Sequence, residues 1–203
     1  MSNCFVETIG KMTFARCINL QKIDFPKLKT IQEDAFKDKF KSLKTKQLVE
    51  IYTDVDSDNF GLGFVLAMNT DYLLLQAVSI YGEEDGIVLY KKNNIVKIGT
   101  NTLYCEKINK LTRLKNVKFS NYYDIETDLV FWLLNKSKTS SKIIQIQLLD
   151  SGACDLIGIV KEINNDTCLV TRIDNYGDMF SNRQLYMLQT LNKQLAILKK
   201  ELG

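Results

Sequence analysis

Three aspartates at alternate positions form the first group of side chains in this sequence that could do chemistry. Asp54, Asp56 and Asp58 could offer carboxylate oxygens to calcium, because loops that bind this ion place acidic ligands at alternate positions. Such a loop also needs a glycine at its sixth position and a glutamate at its twelfth, where this sequence has Asn59 and Val65. We therefore expect a solvated acidic turn here rather than a calcium site.

A second acidic group, Glu83-Glu84-Asp85, lies between two glycines and is typical of a turn. The corresponding segment later in the chain has only one acidic residue, Asp178. A surface turn is the simplest interpretation of this group, and weak binding of a metal ion or a basic partner is the alternative.

The sequence contains no histidine, which excludes Ser-His-Asp and Cys-His catalysis, histidine metal sites and an imidazole base. Its five cysteines are widely spaced and form no Cys-x-x-Cys pair, so we expect free intracellular thiols that pack as small apolar residues. They are Cys4, Cys17, Cys105, Cys154 and Cys168. We therefore expect a non-enzymatic protein that uses no cofactor and has no evident small-molecule substrate.

Lysine is concentrated in two segments, although the net charge of the chain is only +3. The first segment carries Lys37, Lys39, Lys41, Lys44 and Lys46, and the second carries Lys107, Lys110, Arg113, Lys115 and Lys118. Both could lie on the phosphates of a nucleic acid. Solvated helix faces are the simpler interpretation.

Composition is that of a globular chain, with 45% hydrophobic and 25% charged residues among 203. No apolar run approaches the roughly 18–20 residues that cross a bilayer. The first residues lack the basic start and apolar core of a secretory signal. We expect a cytoplasmic protein without a membrane partner.

An internal repeat organises these side chains, because residues 48–98 and 143–194 share one pattern at a spacing of 95 positions. The identical residues are Gly63, Val65, Asn69, Asp71, Leu74, Tyr81 and Gly82, matched by Gly158, Val160, Asn164, Asp166, Leu169, Tyr176 and Gly177. A one-residue insertion then aligns Leu89-Tyr90 with Leu185-Tyr186 and Ile95 with Leu191. The repeat predicts two similar small domains.

A helix is predicted before each copy. Thr30 and Glu33 form a capping box for a helix over about 30–43, and Asp124 can cap a helix over about 125–135. A Lys-rich helix at about 102–115 bridges the copies. Leu188, Leu191, Leu195, Leu198 and Leu202 recur at steps of three and four, which predicts a C-terminal helix packed on its own domain or forming a dimer seam.

Five short alternating strands are predicted in each copy. In the first they begin near Leu48, Leu62, Tyr72, Ile87 and Ile95, and turns of two to six residues separate them. Such short strands suit a small, strongly bent barrel.

Both copies resemble Sm-like proteins across the second and third strands. The first motif of that family is similar to Gly63-Phe64-Val65, Met68-Asn69 and Leu74-Leu75, and to Gly158-Ile159-Val160, Ile163-Asn164 and Leu169-Val170. A glycine there admits a sharply bent neighbouring strand, and an asparagine at the turn can bond its own backbone. The resemblance implies a mainly β, α+β fold of two tandem Sm-like or SH3-like five-stranded bent barrels, each preceded by a helix, plus the C-terminal helix.

The resemblance also indicates where RNA would bind. Residues 90–98 are similar to the family's second motif, with Lys91 and Lys92 in place of its arginine and glycine. Tyr72 could stack on a base, and Asn69 and Asn164 hold the two turns. The asparagine with which RNA-binding relatives read a base is replaced by Leu73 in one copy and Cys168 in the other, so the base-reading set is incomplete.

The resulting organisation is an N-terminal extension (1–29), a first barrel with its helix (30–100), a basic bridge (101–123) and a second barrel with its helices (124–203). The extension could be a hairpin or a short helix. We expect a binding or assembly module that contacts protein partners or copies of itself, since Sm-like barrels pair strand edges into rings. An RNA-binding regulator is the alternative.

Overall fold

Alternating apolar segments form an antiparallel sheet in the computed structural model, which describes residues 8–9, 30–31, 37–53, 59–118, 128–147, 156–173, 179–187 and 194–197. Helices pack against this sheet, and the prediction of an α+β fold is confirmed. Two short strands, β1 (Thr8–Ile9) and β2 (Thr30–Ile31), form a separate parallel pair.

The first unit consists of helix α1, Lys37–Ser42, and five strands. The strands are β3, Leu48–Tyr52; β4, Gly61–Met68; β5, Tyr72–Val78; β6, Glu84–Lys91; and β7, Lys97–Thr100. A 3₁₀ turn, Lys92–Asn94, joins β6 to β7. The five strands predicted for the first copy are therefore present.

The second unit repeats this layout after the bridging helix α2, Leu103–Leu114. Helix α3, Leu129–Ser140, leads into β8, Ile144–Gln147; β9, Leu156–Ile163; β10, Thr167–Ile173; β11, Met179–Met187; and β12, Gln194–Ile197. Strand order is β7-β3-β4-β5-β6 in the first unit and β12-β8-β9-β10-β11 in the second. In both units the fifth strand therefore lies beside the first.

The two units share one sheet because β12 pairs with β8 on one side and with β6 on the other. Among the described residues this gives an open sheet of ten strands that begins at β11 and ends at β7. Hydrogen bonding therefore closes no barrel in this part of the chain. The described strands form one continuous sheet because the two edges of β12 pair with strands of different units, and the prediction of two tandem bent barrels stays a prediction.

Irregularities in strand pairing recur at equivalent places in the two units. The β4–β5 register shifts between Val65 and Ala67, and the β9–β10 register shifts between Val160 and Glu162, 95 positions later. A second pair of shifts follows the same spacing in β5–β6 and β10–β11. The fifth strands are offset by 97, because Lys97 faces Tyr52 and Gln194 faces Gln147. A second inserted residue therefore precedes β12, beyond the single insertion that aligns Leu89 with Leu185. The predicted match of Ile95 with Leu191 lies outside the described residues.

Two equivalent glycines lie where neighbouring strands approach most closely. A Cβ atom on Gly63 would lie 2.7 Å from the carbonyl oxygen of Gln76. A Cβ atom on Gly158 would meet the carbonyl oxygen of Thr171 and would lie 2.7 Å from Cγ1 of Val170. The obstacle in each unit is backbone, which cannot move without disturbing the ladder. The prediction that these glycines admit a close neighbouring strand is confirmed.

Each unit has an apolar core capped by its own helix. In the first unit, Phe40 and Leu43 at the end of α1 close a cluster formed by Val49, Val65, Leu73, Leu75 and Ile98. In the second, α3 contributes Leu129, Leu133 and Leu134 to a cluster with Ile144, Val160 and Val170. Leu74 and Leu89 of the first unit belong to that second cluster, so apolar packing also joins the units.

The leading helices begin later than the sequence predicted. Thr30 lies in β2 rather than in a capping box, and α1 begins at Lys37. Helix α3 begins at Leu129, and its cap is Asp128 rather than Asp124, because the Asp128 carboxylate accepts a hydrogen bond from the Val130 amide at 2.8 Å. The bridging helix is confirmed, and the Thr102 side chain caps it by accepting from the Cys105 amide.

The predicted C-terminal helix is wrong over residues 194–197, which form β12. Leu195 pairs with Leu89 of β6 and Ile146 of β8 rather than lying on a helical seam. Backbone pairing on two sides outweighs the helical spacing of a few leucines, since short helices gain most of their stability from packing. The other four leucines of the predicted seam lie outside the described residues.

Substitution of Gly63 and Gly158 tests the close approach of the neighbouring strands. We expect Gly63→Ala and Gly158→Ala each to lower the free energy of unfolding by about 2–3 kcal/mol, because the added methyl group must displace backbone. Urea unfolding monitored by circular dichroism measures this loss. Ala67→Gly makes the reverse one-carbon change on the same strand and should cost only about 0.5–1 kcal/mol. A glycine variant as stable as the wild-type chain would contradict the close approach.

Candidate functional site

The turn between β4 and β5 is held by the side chain of Asn69. Its Oδ1 accepts hydrogen bonds from the Asp71 amide at 3.0 Å and the Tyr72 amide at 2.8 Å. In the second unit, the Asn164 amide donates to the Thr167 carbonyl at 2.8 Å, as the Asn69 amide does to the Tyr72 carbonyl at 3.1 Å. The prediction that the turn asparagine bonds its own backbone is confirmed for Asn69.

Lys92 fastens this turn to the start of the 3₁₀ segment. Its amide donates to the Asp71 carbonyl at 2.7 Å, and its Nζ donates to the Asn69 carbonyl at 2.5 Å. The same Nζ lies 4.8 Å from the ring centre of Phe40 on α1. Burial lowers the pKa of Lys92, and the carboxylate of Asp71 partly opposes that shift. The ammonium group therefore has a structural role between the turn and α1.

Tyr72 and Lys91 lie directly opposite each other on β5 and β6. Tyr72 is half-buried and packs against the cluster that contains α3. Burial raises the pKa of its phenol, and the nearby carboxylates of Asp128 and Asp71 raise it further. Negative charge beside this ring would oppose the approach of a phosphate.

Four of the five predicted nucleic-acid contacts therefore gather at one end of the first unit, but they do not share one surface. Lys92 reaches α1, whereas Tyr72 packs toward α3. Asn164 holds the equivalent turn of the second unit. The two positions that match the family's base-reading asparagine, Leu73 and Cys168, are completely buried and cannot touch a ligand. The predicted contacts stay predictions.

The acidic segments give no metal site in the part of the chain that the structure describes. Asp54, Asp56 and Asp58 lie outside those residues. Glu83 instead forms an exposed ion pair with Lys115, at 2.6 Å. No group of three or more Cys, Asp or Glu side chains that could hold a metal ion occurs among the described residues.

The two basic segments are solvent-facing where their side chains are described. Lys41, Lys44 and Lys46 follow or end α1, and all three are exposed. On α2 and just after it, the basic residues are also exposed, while Cys105, Ile108 and Thr112 form the buried face. The basic face of α2 also carries exposed Leu103 and Leu114.

A cavity of about 910 Å³ lies beside the start of α2, and no sequence motif predicted it. Glu50 on β3 lines it, together with Tyr52, Phe60, Tyr90 and Tyr104. These aromatic residues come from separate parts of the first unit and from α2, and the pairing of β3 through β6 and the packing of α2 bring them together. One signal was present, since Glu50 is the only charged residue in an otherwise apolar strand.

A network of donors holds the carboxylate of Glu50, which is only 4% exposed. Its Oε1 accepts from the Thr102 hydroxyl and, at 3.7 Å, from the Cys105 thiol, and its Oε2 accepts from the Tyr52 hydroxyl at 3.1 Å. A Cβ atom on Gly99 would collide with this carboxylate, so the glycine makes room for it. Burial raises the pKa of Cys105, with a further contribution from Glu50.

No family model, no curated protein and no solved structure matches this chain. Within the described residues, no helix has both the length and the apolar character needed to cross a membrane. The geometry of the chain is therefore the basis for any functional assignment.

The pH dependence of stability tests the burial of Cys168. Burial raises the pKa of this thiol from 9.0 to about 11. Between these two values the thiol loses its proton in the unfolded chain but keeps it in the folded chain. The resulting stabilisation is complete below pH 9 and is lost as pH rises towards about 11. We expect the free energy of unfolding to fall less steeply over this interval in Cys168→Ala than in the wild-type chain. Equal slopes in urea titrations would contradict the burial.

Proposed function

We propose that this chain is a non-enzymatic assembly module built from two Sm-like units, and that it joins further copies of itself through its sheet edges. The observation that carries the proposal is the joint between β6 and β12. There, the fourth strand of one unit pairs with the fifth strand of the other. The family that the sequence resembles assembles by pairing strand edges, and this chain contains one such contact between its own units.

The joint combines backbone pairing with apolar packing. Four residues of β12, Gln194–Ile197, pair with Tyr90–Ile87 of β6 in antiparallel register. Leu74 and Leu89 of the first unit pack into the same buried cluster as Leu133 and Leu134 of α3. Backbone bonds set the register and buried leucines supply most of the free energy, at about 1.5–3 kcal/mol for each fully buried side chain. A contact of this kind suffices to hold two units together.

The strands at the ends of the described sheet are the counterparts of those in the joint. Strand β7 is the fifth strand of the first unit, and β11 is the fourth strand of the second. Pairing of β11 in one copy with β7 in the next would repeat the β6–β12 contact. Such a head-to-tail contact builds a ring if the rotation closes and a filament if it does not.

The direction of the backbone on β7 identifies groups available for this contact. The Val96 amide donates to the Tyr52 carbonyl of β3 at 2.8 Å. Tyr52 and Glu50, whose backbone groups point at β7, face Lys97 and Gly99 in register, so the amides of Lys97 and Gly99 point at β3. Because amides alternate along a strand, that of Ile98 points away, and removing it affects the outer edge of β7 without removing a bond to β3.

Ile98→Pro tests assembly through this edge. Proline has no amide hydrogen and is tolerated on edge strands, so we expect the variant to stay folded but to lose self-association. Sedimentation or multi-angle light scattering at increasing concentration should show oligomers for the wild-type chain and a monomer for the variant.

Ile98→Ala is the matched control, since it also removes most of the buried side chain but keeps the amide. It should assemble like the wild-type chain. A wild-type chain that stays monomeric at high concentration would contradict the proposal. Equal assembly of Ile98→Pro and Ile98→Ala would contradict the role of β7.

RNA binding is a second candidate function, favoured by the exposed basic face of α2. Lys107, Lys110 and Arg113 project from this helix, and Lys115 just after it pairs with Glu83. Such a face would contact phosphates without reading bases. Tyr72, Lys91 and Lys92 would add Sm-type contacts near the turn between β4 and β5.

A salt series with labelled single-stranded oligouridine distinguishes the two basic sites. If α2 binds RNA, the triple variant Lys107→Ala, Lys110→Ala, Arg113→Ala should lower affinity and reduce the salt slope by about 2–3 between about 50 and 200 mM salt. If the Sm-type contacts bind RNA, Tyr72→Leu with Lys91→Ala should weaken binding instead. Fluorescence anisotropy measures both effects. Absence of RNA binding by the wild-type chain at low salt would eliminate this candidate.

A further inference from the structure

The cavity beside α2 differs in charge from the rest of the chain. Sixteen described residues line it, and none of them is a lysine or an arginine, although the chain has 27 of these residues. Two of the lining residues are acidic, Glu50 and Asp85, and four are aromatic. The volume of about 910 Å³ lies in the range of small-ligand sites. The lining therefore favours a cation with apolar surface.

The hydrogen bonds of Glu50 restrict the kind of cation. Thr102 and Cys105 donate to one carboxylate oxygen, and Tyr52 donates to the other. These three neutral donors use most of the lone pairs of the carboxylate and add no positive charge. Glu50 can therefore attract a cation electrostatically but has little capacity left to accept hydrogen bonds from a ligand. A quaternary ammonium has no N–H donors and meets this condition.

The aromatic residues supply the remaining contacts for such a head group. The ring of Phe60 packs edge-to-face on Tyr104, with ring centres 5.3 Å apart, and lies 5.1 Å from the ring of Tyr52. Ring faces attract weakly hydrated cations, and methylated ammonium groups are those most often bound by aromatic clusters. Lys97 places its ammonium 3.8 Å from the ring centre of Tyr52, so this ring already accepts a positive charge.

Other ligand classes fit this lining less well. A phosphate or carboxylate ligand would meet Glu50 and Asp85 and no cation among the described lining residues. A hydrated metal ion would need several oxygen ligands, whereas Leu62, Leu75 and Val78 make much of the wall apolar. A neutral ligand would gain nothing from the negative charge of Glu50.

We infer that the cavity bounded by Glu50, Phe60 and Tyr104 binds a trimethylammonium group, carried either by a free small molecule or by a methylated lysine side chain. Glu50 provides the negative charge and the aromatic rings provide the contact surface. Tyr52 connects the charge to the rings, because its hydroxyl donates to Glu50 and the Lys97 ammonium lies over its ring. The position of Lys97 next to this site opposes a second cation there.

Titration of the full chain with choline tests the inference. Its matched control is 3,3-dimethyl-1-butanol, which has the same shape with carbon in place of the charged nitrogen. We expect choline to bind saturably and the neutral alcohol to bind at least about tenfold more weakly, as about 1.4 kcal/mol of cation–π and charge attraction would produce. Isothermal titration calorimetry or chemical-shift mapping measures both. Equal binding of the two compounds, or no binding of choline, would overturn the inference.

Variants locate the binding to this cavity. Glu50→Gln removes the charge and keeps the shape, and should weaken choline binding about tenfold. Tyr104→Leu removes one ring and should weaken it several-fold, and it keeps the test decisive if Glu50→Gln fails to fold. Lys97→Ala removes the competing charge and should strengthen binding. Phe131→Leu, which changes an exposed aromatic residue of α3 outside the cavity, should leave affinity unchanged. Unchanged affinity in both Glu50→Gln and Tyr104→Leu would sink the assignment.

A second probe distinguishes the two sources of the ligand. N-acetyl-trimethyllysine amide carries the same head group on a peptide-like stem. Affinity at least about tenfold above that of choline would assign the site to a methylated lysine side chain, and the reverse order would assign it to a free small molecule. Binding of either probe, with weak binding of the neutral alcohol, supports the inference.

Discussion

The pairing of β12 with β6 is the constraint on which the rest of the described structure depends. Because β12 also pairs with β8, its four residues connect two units of five strands into one sheet. The cluster around α3 forms only with this connection in place, since it draws Leu74 and Leu89 from the first unit and Val160 and Val170 from the second. The joint thus sets the relation between the two cores, and it defines the strands at which the sheet ends.

Close packing of the strands within each unit depends on glycines, which have no side chain. Gly63 and Gly158 let a neighbouring strand approach to a distance that a methyl group would forbid, and Gly99 makes room for the carboxylate of Glu50. The last of these contacts connects the fold to the cavity, because Glu50 can turn toward Thr102 and Cys105 only if its pairing partner has no side chain. A small number of glycines therefore permits both the close approach of the strands and the charged wall of the cavity.

The residues gathered near the Asn69 turn show how structural and binding roles compete. Asn69 uses its oxygen to hold the turn, and Lys92 uses its ammonium to bond the turn and stack on Phe40. Polar groups that already have partners inside the chain gain less from a ligand, since binding must first break those contacts. The cavity beside α2 differs, because the described residues that line it include two carboxylates and neither lysine nor arginine.

The sequence by itself determined the strands of the first unit, the bridging helix and the positions of the bend glycines, because alternation, caps and glycine crowding are local properties. Spacing also predicted that Asn69 would hold its turn. Only the tertiary structure decided that residues 194–197 form a strand rather than a leucine-seamed helix, since two neighbouring strands fix the backbone there. It also decided which distant residues share the cavity of Glu50, Phe60 and Tyr104. Contacts between residues far apart in sequence leave no periodic signal, and they follow from strand order and helix packing alone.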